Sequence, residues 1–326
     1  MNLSQEKQLE FSIQVIHELL QEQQEYVQLE LDLSHAPSIF ESKFGGTGYV
    51  PHDGAIPVNA KNQQLRLLAQ IECGKIPLKD FPAKGLLQFW IYDDDLSGAD
   101  FDHPTVQNGF RILYHESVDP TVTEAEVLEK TLPFPEDESF FPVEKEVALK
   151  PVKAAESLSF NDYRFENVFA EKFNQLSPEE PIQSLYDLDI NPWDIEEPAC
   201  KQFIKNSGWG HKIGGFPAFT QSDPRDCMEN ADRFDTLLLQ IDSGTIDDSH
   251  EIMWGDSGIC NFFIHSEALR NCDFSEVFGR RAGRIHAPGK GVVVMEYVTW
   301  SDLIQYSILI VTIVALICDI FHSKRK

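Results

Sequence analysis

The chain is expected to fold as an α+β protein, an internal duplication of two antiparallel β-rich units with a few helices, plus a C-terminal apolar helix. Three observations predict this. Short apolar or alternating segments recur between Gly/Pro turns. Three motifs recur in the same order at offsets of 169, 170 and 173 residues. The charge then reverses near residue 279, ahead of a long apolar stretch.

Residues 4–25 read as a helix. Leu9, Ile13, Ile16 and Leu20 are spaced by four, three and four, and Ser4 is placed to cap the first turn. In residues 26–34, Val27, Leu29, Leu31 and Leu33 alternate with Gln28, Glu30, Asp32 and Ser34, the pattern of a strand with one wet face. Further strands are predicted over residues 65–72, 86–92, 110–115, 237–242 and 259–265.

The duplication is carried by Lys43-Phe44-Gly45-Gly46 returning as Lys212-Ile213-Gly214-Gly215, and by Leu68-Ala69-Gln70-Ile71 returning as Leu238-Leu239-Gln240-Ile241. Gly85-Leu86-Leu87-Gln88-Phe89 likewise returns as Gly258-Ile259-Cys260-Asn261-Phe262. The chain accordingly divides into an N-terminal helix (1–25) and a main domain (26–278), with units at 26–115 and 205–278 packed on each other. Between the units lies an acidic connecting region (116–204). A basic linker (279–302) and a candidate transmembrane or tail helix (303–321) complete the chain. Residues 116–198 hold 21 acidic and 6 basic residues and nine prolines, and read as loops and short helices around a mobile acidic surface.

The 326 residues carry a formal net charge of −26 with 42% apolar residues. That apolar share excludes disorder. The charge excludes a nucleic-acid partner, because like charge repels the phosphate backbone and no basic stretch offers a footprint. Six cysteines lack metal or disulfide spacing, and the N-terminus lacks an apolar leader, so the main domain is expected in a reducing cytoplasm. No cofactor is indicated. Residues 303–321 reach the length of a span only by admitting Gln305 and Asp319, and basic residues flank both ends. Anchoring to the inner membrane by this segment is the expectation.

No catalytic residue is assigned. Trp254-Gly255-Asp256-Ser257-Gly258 contains the Gly-Asp-Ser-Gly of one protease class, but Ile259 stands where that motif continues with glycine. A tight turn into the following strand, with Trp254 beneath it, is predicted instead. Asp93, Asp95 and Ser97 match the first ligand positions of a calcium loop, but Pro104 occupies the position of the required bidentate carboxylate. They remain weak calcium candidates, with an acidic turn as the default. The glycines at 45, 46, 214 and 215 are expected to supply positive φ or close strand crossing, with an anion on their amides as the alternative. Gln70 and Gln240, amides inside apolar strands, are expected to tie strand to loop. With Asp256 these six residues make up the candidate ligand-binding set: Gly45, Gly46, Gln70, Gly214, Gly215, Gln240 and Asp256.

Ser42-Lys43-Phe44-Gly45-Gly46, Leu68-Ala69-Gln70-Ile71, Gly85-Leu86-Leu87-Gln88-Phe89, Lys212-Ile213-Gly214-Gly215-Phe216-Pro217, Leu238-Leu239-Gln240-Ile241-Asp242 and Met253-Trp254-Gly255-Asp256-Ser257-Gly258 with Asn261-Phe262-Phe263-Ile264 resemble the YwqG-like family. This is a bacterial family named only as a domain of unknown function, matched over about residues 36–278. The resemblance implies an α+β fold on a duplicated β-rich unit and supplies no catalytic residues. Proteins similar to this one finish soon after the segment matching Asp273-Phe274-Ser275, whereas here a basic and then apolar tail comes next; a fused anchor and a shifted reading frame both fit. Two functions are open. The first is a non-enzymatic interaction module that binds a basic protein partner through its acidic surface, with an inhibitor or immunity role as its narrower form. The second is a small-ligand-binding protein or enzyme with a pocket between the repeats.

Overall fold

The structure, a computed structural model, describes residues 3–134, 139–191, 195–205, 208–247 and 250–284. Helix α1 (Gln5–Gln21) starts at Ser4, whose hydroxyl accepts from the Lys7 amide. It stops four residues earlier than its periodicity suggests, because Gln23, Gln24 and Glu25 already pair with residues 155–157 in strand β1 (Gln23–Asp32). The buried stripe is also rotated. Val15, Ile16 and Leu19 are buried with Gln8 and Ser12, while Leu9 is exposed. Gln8 tolerates burial because its amide donates to the Leu3 carbonyl and accepts from the Asp189 amide.

Strands β2 (Lys43–Phe44), β3 (Arg66–Glu72), β4 (Leu86–Ile91) and β5 (Phe110–His115) complete the first repeat. The connecting region comes next with α2 (Glu124–Lys130), β6 (Val147–Ser157), α3 (Phe165–Leu176) and α4 (Pro198–Lys205). The second repeat contains β7 (Lys212–Gly214), β8 (Thr236–Asp242), the small hairpin β9 (Gly244–Asp247) and β10 (His250–Ile252), then β11 (Asp256–Ile264), α5 (Ser266–Arg270) and β12 (Phe278–Arg284).

All ten principal strands form one antiparallel sheet, ordered β12-β11-β8-β7-β1-β6-β2-β3-β4-β5. This corrects the expectation of two units packed on each other. The strand that precedes each Lys-x-Gly-Gly strand pairs with the other repeat: β1 with β7 of the second, and β6 of the connecting region with β2 of the first. Strands β1 and β6 then pair with each other over ten residues, centred at Val27–Lys153 and Gln28–Val152. Lys150 and Lys153 meet Glu30 and Glu25 across this seam at 3.1 and 2.7 Å.

The connecting region is therefore not a coat of loops. Its strand β6 lies at the centre of the sheet. Pro151 argues against a central strand on sequence, yet it fits because residues two apart direct their N–H groups to the same side. Leu149 donates to Ser42 on that side, at the end of β2, so Pro151 falls where the neighbouring strand has stopped. Nearby, Phe165, Phe169 and Phe173 of α3 bury against Val15, Ile16 and Leu19 of α1 and Phe203 of α4. Each such phenyl ring stabilises the fold by about 1.5–3 kcal/mol.

The sheet curls until it nearly closes. Phe262 on β11 lies 5.1 Å from Phe89 on β4 and 5.9 Å from Phe110 on β5, and Gly279 donates to the Pro104 carbonyl at 3.1 Å. Inward-facing Phe44, Ala69, Ile71, Leu87, Ile213, Leu239, Ile241 and Ile264 fill the interior. Outside, one apolar layer covers the first repeat around Tyr49, Leu67 and Trp90, and a smaller one covers the second around Phe219 and Phe263. Residues 279–284, expected to begin the linker, extend β12 along β11. The described residues end with β12 at Arg284, and the apolar stretch 303–321 lies outside them. Among the described residues no helix is long and apolar enough to cross a membrane.

Candidate functional site

The two Lys-x-Gly-Gly motifs form one device, built twice. Lys43 on β2 and Lys212 on β7 are both completely buried. A buried ammonium group requires a counter-charge. Lys43 Nζ meets Glu146 Oε2 at 3.2 Å and the Pro37 carbonyl at 3.3 Å; Lys212 Nζ meets Glu156 Oε1 at 2.6 Å. Burial pulls the Lys212 ammonium below its ordinary pKa, and the Glu156 carboxylate opposes that shift. Both glutamates come from the strand missed in sequence: Glu146 immediately precedes β6 and Glu156 lies near its end. At roughly 3.3 Å per residue the two sites stand ~33 Å apart.

The glycine pairs give each carboxylate a seat. Gly45, Gly46, Gly214 and Gly215 have φ of +67°, +70°, +75° and +71°, the left-handed region open to glycine. A Cβ on Gly46 would collide with the Glu146 carboxylate, and one on Gly215 with that of Glu156. The Phe216 amide donates to Glu156 Oε1 at 2.7 Å. In the second repeat the anion beside this turn is the chain's own glutamate, held by the Phe216 amide rather than by the glycine amides.

The amides behind the seats are also duplicated. Gln70 donates to the carbonyls of Ile39 and Glu41 and accepts from the Tyr49 amide. Gln240 donates to Gly208 and Gly210 and accepts from Ala218. Each glutamine thus pins the chain before and after its Lys-x-Gly-Gly turn to the sheet. Gln88 and Asn261 add a bond to the carbonyls of Tyr49 and Ala218. Ser42 and His211 accept from the amides of Glu72 and Asp242 at 2.8 and 3.1 Å. Accepting at Nδ1 requires a neutral imidazole, and burial lowers the His211 pKa to about 4.

The remaining candidates are turns. Gly258 donates to the Trp254 carbonyl, Ser257 has φ +57° and is exposed, and Trp254 is buried below, as the turn reading expects. Asp256 opens β11, its backbone paired with Arg284. Asp93 is drawn to Arg66 at 2.7 Å and accepts from Ser139 and Phe140, while Asp94 caps the turn by accepting from Leu96 and Gly98. Among the described residues, no three His, Cys, Asp or Glu side chains gather as a metal-holding group. Burial pushes the Cys73 thiol up to about 12 and the Cys200 thiol to about 11, away from nucleophilic use.

The expected cleft between the repeats is packed with Phe89, Phe110 and Phe262. A pocket of about 250 Å³ instead opens on the outer face of the first repeat, beside the Glu146 seat. Its floor is Ile56, Leu65, Leu67, Trp90, Val127 and Val143, and its polar wall includes Arg66, Glu144 and Glu146. Of the residues singled out in sequence, Gly46 lines it. Arg66, Trp90 and Glu146 were missed. The Lys-x-Gly-Gly repeat carries no spacing that points to the two glutamates, because one stands just before β6 and the other near its end.

A family model described as Domain of unknown function (DUF1963) matches residues 42–280. The chain belongs to this family. The match spans both Lys-x-Gly-Gly devices, β6 and the pocket, and is consistent with the YwqG-like resemblance. No curated protein matches the chain.

Proposed function

We propose that this DUF1963 protein is a non-enzymatic interaction module that presents an acidic surface to a basic protein partner. The observation that carries the reading is Tyr186, 89% exposed on a rigid turn among carboxylates. Ser184 and Asp187 cap that turn reciprocally, and Asn174 grips Ile182 through both its amide atoms. Glu166, Glu179, Asp187 and Asp189 are exposed on or near this turn, which belongs to the region of net charge −15. A tyrosine side chain has only two rotatable angles and so loses little entropy on binding, and a charged surround speeds encounter with the opposite charge. An inhibitor or immunity-type role, tethered at the inner membrane through residues 303–321, is the fuller form of this proposal.

Native mass spectrometry of the full-length chain, purified from its host in mild detergent, tests it. The expected result is a stoichiometric basic polypeptide whose association slows as salt rises and which Tyr186→Ala releases. A chain that carries no polypeptide, or one held equally well by the Tyr186→Ala variant, overturns the reading.

A further inference from the structure

The pocket of the first repeat presents two opposite charges that are not spent on each other. The Arg66 guanidinium is held by Asp93 at 2.7 Å and lies 4.0 and 5.0 Å over the rings of Phe141 and Phe134. Asp93 is almost buried, so this ion pair anchors Arg66 firmly. Glu146 is anchored from the other side by the fully buried Lys43, yet its side chain remains 33% exposed. Arg66 and Glu146 therefore each have a buried counter-ion behind them. Among the described residues no ion pair joins Arg66 to Glu146. Glu144 adds a second carboxylate to the lining, and the floor between is apolar.

We propose that this pocket binds a small zwitterion, an α-amino acid with an apolar side chain. The ligand carboxylate meets Arg66, its ammonium meets Glu146 and Glu144, and its side chain lies on Leu65, Leu67, Trp90 and Val127. Arg66 and Glu146, fixed charges of opposite sign, recognise a ligand of no net charge without leaving a buried ion unpaired. The size agrees: about 250 Å³ falls just short of the ~300–1,000 Å³ of pockets for drug-sized ligands. The second repeat shows the contrast, since Glu156 is sealed by the Phe216 amide and only 12% exposed. The inference is independent of the basic partner and stands or falls separately.

The test is calorimetric titration of the full chain with L-leucine and L-phenylalanine, alongside isoamylamine and 4-methylpentanoate, which each carry one charge of leucine. The Trp90 indole resonance, assigned with Trp90→Phe, reports the site. The expected result is saturable binding of an amino acid that shifts this resonance, with each one-charge analogue weaker by at least about tenfold. Glu146→Gln is expected to weaken the amino acid by a similar factor and to leave 4-methylpentanoate unchanged. The analogue comparison uses the unaltered chain, so it decides even if the variant folds poorly. Equal binding of either analogue, or no shift with any amino acid up to about 10 mM, overturns the proposal.

Discussion

The two Lys-x-Gly-Gly devices share a buried lysine, a left-handed glycine pair, a strand glutamine behind and a glutamate from the same strand in front. They differ in the residues just after the glycines. In the second repeat Phe216 and Pro217 stand there, and the amide of Phe216 donates to Glu156. In the first repeat Thr47 and Gly48 stand there, and Glu146 looks into a pocket. One copy is structural throughout. The other keeps the same structural core and leaves its carboxylate within reach of solvent, which shows how duplication frees one copy of a motif for binding while the other carries the fold.

The largest test of this contrast is removal of each carboxylate charge. Glu156→Gln leaves Lys212 buried against a neutral group and is expected to cost about 3–5 kcal/mol. Glu146→Gln is expected to cost about 1–2 kcal/mol, because solvent at the pocket compensates Lys43 in part. Urea denaturation of the two variants measures both; equal losses would break the comparison.

A second difference is pH. His211 has a folded pKa of about 4, below the ordinary 6.5, so the unfolded chain takes up the proton first. Its contribution is complete above about pH 6.5 and is lost as pH falls towards 4, by about 3 kcal/mol. The first repeat has Ser42 in the same role and no such loss. In His211→Ser the stability slope between these pH values should flatten, even if the variant is weaker at neutral pH. An unchanged slope in denaturation midpoints at about pH 7 and 4.5 would place the acid sensitivity elsewhere.

The smallest expected effect separates the glycines. Alanine at Gly46 or Gly215 carries the left-handed penalty of about 1–2 kcal/mol. The collision adds to this at both positions: a Cβ on Gly46 would meet the carboxylate and the Cβ of Glu146, and one on Gly215 the carboxylate of Glu156 and the Cβ of Tyr26. At Gly46 the displaced Glu146 moves into the pocket, so Gly46→Ala should stay folded by thermal melting and lose amino-acid binding. Retained binding would separate the seat from the pocket.

Much of the sheet was legible because its strands announce themselves. Residues 67–72 and 86–91 are apolar runs between turn residues, and their return in the same order as 237–242 and 259–264 exposed the duplication. β6 was not legible. Its sequence, Val-Ala-Leu-Lys-Pro-Val-Lys-Ala-Ala-Glu-Ser, has short apolar residues, a proline and two lysines, and it sits in the most acidic part of the chain. Only pairing to β1 makes those lysines favourable, opposite Glu30 and Glu25. The pocket was hidden for a related reason. Arg66 from β3, Trp90 from β4 and Glu146 beside β6 have no common spacing, and the sheet alone brings them to one face.

By itself the sequence determined the duplication, the turn glycines and the strands flanking them, because steric limits on φ and the burial of apolar runs act locally. Which repeat β1 and β6 each join, which glutamate neutralises each lysine, and which seat stays open were decided only by tertiary structure. Those outcomes depend on charges that meet across strands far apart in the chain, and a charge finds its partner only when the sheet that excludes water around it has closed.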